Sequence, residues 1–153
     1  MITASSFIQR QTAINVAVCL FASLLPFLLV FEIGVRVPVW GVGNYVFDFL
    51  PQGFMIAFMS ILMPGMSAAK ALREGSVSPV AHRSQPTASL VVRAGLFGSI
   101  GAAVGVGLAA GMSSLTGASV IEWTMALSAK LIYGGLLSAI VTPIGLRAAL
   151  ARQ

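Results

Sequence analysis

A lysine stands inside an apolar run of this chain, and the residues sharing its helical face are small or polar. Lys130, Gly134, Ser138 and Thr142 recur every four residues, the spacing that lines side chains up along a helix. Tyr133 stands one turn from Lys130. An earlier apolar run carries a second row: Asp48, Gln52, Ile56 and Ser60. A cationic amine at the centre of a membrane helix costs roughly 2.5–3.5 kcal/mol on insertion scales, so it must turn toward protein, water or headgroups. If the two rows face each other, Lys130 reaches Asp48 or Gln52, and Ser60, Ser138 and Thr142 continue a polar seam. Such a seam can bind an anion or a small polar solute, relay protons, or serve as glue between helices. Snorkelling is the competing reading of Lys130. It lies seven residues beyond Trp123, hence about 10 Å below the interface, and its stem recovers part of that depth.

Other constellations say less. Glu32 is a second candidate partner for Lys130, but Arg36 follows it by four residues, in the favoured acid-before-base order for a helical pair. Met55, Met59, Met63 and Met66 form a stripe beside Phe54 and Phe58. Thioethers suit copper(I), yet methionine is also an adaptable packing residue, and packing or lipid contact is the expected role. Cys19 is the sole cysteine, so no disulfide can form within one chain; a small core residue is expected there. Pro26, Pro51, Pro64 and Pro143 can kink or end helices. Pro51 would loosen the helix between Asp48 and Gln52. The single histidine, His82, lies in a polar loop, and no nucleophile elbow, phosphate loop or metal-ligand cluster is present. No enzymatic chemistry, cofactor or resident metal is therefore expected.

The elements that must hold these residues are four apolar stretches, about 13–35, 46–66, 92–112 and 123–146. Each is near the ~20 residues that a helix needs to cross ~30 Å of hydrocarbon. With 58% hydrophobic residues, 8% charged residues and a mean hydropathy of +0.96, a soluble fold would have to leave most of this apolar surface in water. The remaining segments are too short for a separate soluble domain. Basic residues orient the bundle. Arg10, Lys70, Arg73, Arg83, Arg93, Arg147 and Arg152 fall on one side and Arg36 alone on the other, with Glu32, Asp48 and Glu122. Both termini and a loop of about 67–91 are thus expected in the cytoplasm, in a plasma membrane of the bacterial inner type. A cleaved signal peptide fits poorly, because the first run is too long for a signal core and lacks a small-x-small site. The net charge of +5 follows from this topology and from anionic lipid. No aromatic residues are interleaved with the basic ones to stack on nucleic-acid bases.

The two halves read as copies of one hairpin. Arg10 and Arg93 open the first and third helices, an offset of 83, and Pro64 and Pro143 precede basic, Ala-rich turns, an offset of 79. Parallel repeats of this type occur in transporter folds; similar punctuation at each interface would give the same pattern without duplication. Ser119 and Glu122 have capping-box spacing before Trp123. Lys70 and Arg73 suit a second helix that runs on past the bilayer to Gly75. From Ser76 to Ser89, the segment with Pro79, His82, Arg83 and Pro86 reads as a mobile basic loop. The third helix is rich in glycine. Gly101/Gly105 and Gly107/Gly111 each have the small-xxx-small spacing that lets backbones approach closely in lipid, within the bundle or against a second copy or another membrane protein.

The sequence therefore predicts an all-α, integral membrane four-helix bundle built from two tandem hairpins. Its expected partners are the lipid bilayer and either a homo-oligomer or another membrane protein. The leading functional expectation is a small permease-like or channel-like transporter of a small polar solute or ion, with Lys130, Asp48, Gln52, Ser60, Tyr133, Ser138 and Thr142 along the path. The alternative is a non-transporting accessory or assembly subunit.

Overall fold

A computed structural model describes residues 2–78 and 89–151. Four long helices dominate: α1 (Ala4–Val30), α2 (Tyr45–Arg73), α3 (Leu90–Thr116) and α4 (Trp123–Leu150). All four are long and apolar enough to cross a membrane, and their outward faces carry large apolar side chains such as Phe21, Leu29, Leu96, Leu108, Ile132 and Ile140. Without water to bond to, the backbone of a membrane span must satisfy itself, and the helix does this within one segment. The chain is an integral membrane four-helix bundle.

Helix ends follow local chemistry. Thr3 and Ser89 cap α1 and α3 by accepting from the Ser6 and Val92 amides. Gly75, at φ +65°, and Gly117, at φ +63°, take the left-handed turns that end α2 and α3. Three expectations change here. First, α1 starts well before residue 13 and ends at Val30, so Glu32 and Arg36 lie in an irregular turn, not four apart on a helix. Second, the capping box is not formed. Ser119 instead accepts a backbone bond from Val39 at 3.1 Å, residues 120–121 pair with a strand, and Glu122 caps α4 without a side-chain bond. Third, α3 and α4 extend beyond the expected spans, to Thr116 and Leu150. α2 runs on beyond the expected 46–66 span to Arg73, as the basic residues and Gly75 imply. Pro79, His82, Arg83 and Pro86 lie outside the described residues.

The two hairpins interlock instead of standing side by side. α3 packs along α2 and α1 along α4, while α1 and α2, and likewise α3 and α4, barely touch; α2 and α4 cross at the centre. At the middle of that crossing three residues meet the ones 78 positions later: Gln52 bonds the Lys130 carbonyl, Ile56 packs on Gly134, and Ser60 bonds Ser138. This is the relation that a two-fold axis along the bundle would impose, and it is close to the 79-residue spacing of Pro64 and Pro143. At one end the loops pair as a two-stranded antiparallel ladder, β1 (Val37–Pro38) with β2 (Val120–Ile121), in the register Val37 with Ile121 and Pro38 with Val120. That register is itself symmetric if Val37 corresponds to Val120.

Apolar clusters close both ends. At the strand end Phe27, Phe31, Val37, Val39, Tyr45 and Phe49 form a lid, with Trp123 beside it. At the opposite, basic end Ala68, Ala71, Val77, Leu146 and Leu150 pack together with Phe7. Between these two plugs lie the polar side chains.

Candidate functional site

Lys130 sits on α4 two turns below Trp123, with 1% of its side chain exposed. Its Nζ donates to Asp48 Oδ2 on α2, forming an ion pair. The ammonium also lies 5.3 Å from the ring centre of Phe27 and 5.8 Å from that of Phe49. These rings hold it from the side of the lid and offer cation–π attraction in a place where water is scarce. Snorkelling does not occur: the amine turns inward. Asp48 is the more open member of the pair, at 17%, because it looks out between α1 and α2.

One turn further in, Gln52 donates through Nε2 to Ser23 Oγ at 3.0 Å and to the Lys130 carbonyl at 3.2 Å. Its Oε1 is buried without a donor. Ser23 in turn donates to the Cys19 carbonyl at 2.9 Å. Deeper still, Asn15 gathers three hydroxyls, with Nδ2 at 2.9 Å from Ser60 Oγ, 3.0 Å from Ser138 Oγ and 2.8 Å from Thr142 Oγ1. An amide nitrogen has two hydrogens, so one of these contacts is shared. Ser60 and Ser138 also meet each other at 3.4 Å, and the Cys19 thiol lies 3.8 Å from Ser60. Asp48, Gln52, Ser60, Lys130, Ser138 and Thr142 therefore form one continuous column, in the order their spacing predicted.

Tyr133 is not part of it. Its ring packs on Phe49 and lies in the hollow beside Gly105, and its hydroxyl donates to the Gly101 carbonyl. Three positions beyond Lys130 is about 300° around a helix, only about 60° away from the lysine's own direction; that offset lets the ring touch Phe49 of α2 while its hydroxyl reaches the α3 backbone. The glycines divide in the same way. A side chain at Gly101 would collide with the Gly53 backbone at 2.6 Å, so this glycine lets α2 and α3 touch, whereas Gly107 and Gly111 face outward with nothing beside them.

Asn15, Ser23 and Phe27 were missed at the sequence level, and they supply the α1 wall. The signal was present: Asn15, Cys19, Ser23 and Phe27 recur every four residues and are the buried face of α1. An asparagine in a membrane span is as informative as a lysine, since its amide also needs partners there.

Because α1 and α2 are splayed, the column is flanked by a groove of about 680 Å³. Ile14, Val18 and Ala22 form one wall, and Met55, Met59 and Met63 the other; Asp48 and Lys130 lie at one end and Gln11 and Ser67 at the other. The methionine stripe is thus a groove wall facing lipid and the α1 surface. With both bundle ends plugged, the column's open side is lateral. Among the described residues, no three His, Cys, Asp or Glu side chains come together as metal ligands. The chain matches no protein-family model, no curated protein and no solved structure in comparisons with each.

Proposed function

We propose that this chain is a small permease-like protein that moves a small polar solute along the Asp48–Lys130 column, with access from the side through the α1–α2 groove. The observation that carries the reading is an ion pair inside a membrane bundle, its lysine buried and its carboxylate open to a groove, at the head of a polar column. Charged pairs inside membranes are expensive and tend to mark a path or a binding site. Lys130 and Asp48 neutralise each other at rest. A solute that hydrogen-bonds to the carboxylate can then be exchanged for the pair's own bond, and Gln52, Ser23, Asn15 and the hydroxyls of Ser60, Ser138 and Thr142 offer successive partners on the way to the basic end. The excess of lysine and arginine at that end supports a cytoplasmic location for it, in a plasma membrane of the bacterial inner type, with both termini inside.

The test is flux. Proteoliposomes would be challenged in turn with sodium, chloride, phosphate, glycerol, urea and small amino acids. At least one of these should cross faster than in protein-free vesicles, and Lys130→Met and Asp48→Asn should each reduce that flux by about tenfold or more. No flux for any of them, or flux indifferent to Lys130→Met, would overturn the proposal.

One observation favours a second reading, a non-transporting accessory or assembly subunit of a membrane protein complex. Gly107 and Gly111 present an open small-residue row on α3, the kind of face on which membrane helices associate. Gly107→Leu should then release a co-purifying chain while leaving the column intact.

A further inference from the structure

The groove between α1 and α2 has a twin. Under the relation that pairs α2 with α4, Tyr133 corresponds to Met55, 78 residues earlier. In the α3–α4 half the cleft is bridged, because Tyr133 spans it and bonds to Gly101. In the α1–α2 half Met55 bridges nothing and instead lines an open groove. One scaffold thus carries two versions of the same gap, one filled by an aromatic side chain and the other left open beside the ion pair.

Three features of the open version define what fits it. The first is charge. Asp48 and Lys130 are the charged side chains of the groove, and they cancel, so an ion of either sign would enter uncompensated in a medium of low dielectric. The second is hydrogen bonding. Lys130 is buried and committed to Asp48 Oδ2, whereas the carboxylate is the exposed member. The head of the groove accepts hydrogen bonds more readily than it gives them. The third is shape. From Asp48 to Ser67 the groove follows 19 residues of α2, about 28 Å at 1.5 Å per residue, nearly the depth of the hydrocarbon. Spread over that length, 680 Å³ describes a long, narrow space and not a compact chamber. The methionine wall is apolar and adaptable, suited to a flexible chain.

We infer that the groove binds an uncharged amphiphile with one extended hydrocarbon chain, whose hydroxyl or amide head donates to Asp48. This rests on the permease reading only for the groove being the side entrance to the column, and it adds to the polar solute's path a separate site for a lipid-like ligand at that entrance.

The probe for the test is a long-chain primary alcohol carrying a photoreactive diazirine in its chain, used on the intact protein in nanodiscs. Matched probes would carry a trimethylammonium or a phosphate head. The alcohol should label residues 14–26 and 51–63, be displaced by unlabelled alcohol, and exceed both charged probes by about tenfold. Val18→Trp combined with Met59→Trp, which fills the groove without touching the polar column, should remove most of that labelling. Tyr133→Ala should create a second labelled stretch on α3 and α4. Labelling spread evenly over all lipid-facing surfaces would mean ordinary boundary lipid and overturn the inference, as would preference for either charged head. Saturable labelling without flux of alcohol or polar solute would overturn the permease reading but keep the binding site. Flux of a polar solute that survives groove filling, with no specific labelling, would do the reverse.

Discussion

Breaking the Asp48–Lys130 pair from either side should have unequal consequences, and removing both partners should cost least. Lys130 is 1% exposed, so Asp48→Leu leaves an ammonium sealed in the bundle. Removal of one partner from a buried pair costs about 3–5 kcal/mol. The rings of Phe27 and Phe49 remain near the amine and offset about 0.5–2 kcal/mol of this. Lys130→Met is milder, because Asp48 at 17% exposure borders the groove and can meet water; about 1–3 kcal/mol is expected. The double variant puts two apolar side chains of similar bulk in the same space. Such replacements range from neutral to stabilising, so the double variant should be close to the parent, with a coupling of at least about 2 kcal/mol between the sites. Reversible unfolding in mixed micelles, followed by helical circular dichroism, measures all four corners of the cycle. If the two single effects add to within about 0.5 kcal/mol, the side chains do not interact and the reasoning fails.

Asn15→Leu removes three polar contacts; at about 0.6 kcal/mol for each contact in a membrane interior, a loss near 2 kcal/mol is expected in the same unfolding assay. Gly101→Val forces a side chain against the Gly53 backbone and should destabilise by about 1–3 kcal/mol, while Gly107→Val, which meets nothing within the chain, should be close to neutral for the monomer. Tyr133→Phe loses one bond to Gly101 and should cost about 0.5–1.5 kcal/mol. On a Cys19→Ala background, a membrane-impermeant maleimide applied to intact cells should label Val42→Cys in the exposed turn and spare Lys70→Cys; the opposite pattern would invert the proposed orientation.

Much of the column was readable because it obeys one geometric rule. Asp48, Gln52, Ser60 and Lys130, Ser138, Thr142 repeat every four residues on two apolar helices, and burial cost alone drives such rows together. The interlocking of the hairpins was not readable, since nothing local distinguishes α1 packed on α4 from α1 packed on α2. This is why Asn15 and Ser23 escaped notice: their partners lie on helices remote in sequence. Tyr133 lies only about 60° around α4 from Lys130, so spacing alone does not tell which neighbouring helix its hydroxyl meets; it bonds to Gly101 on α3 while its ring stays against Phe49. Ser119 and Glu122 show the limit of local motifs. The capping spacing is present, but pairing of Val120 and Ile121 with Val37 and Pro38 claims the backbone first.

The most direct measurement is the separation of Lys130 Nζ and Asp48 Cγ in lipid bilayers, obtained by nitrogen–carbon recoupling in solid-state NMR on selectively labelled protein. A distance within roughly 4 Å, the range of an ion pair, together with an amine signal that does not exchange readily with bulk water, is the expected result. A separation well beyond that range, with the amine in contact with headgroups, would contradict the buried pair and with it the polar column that it heads.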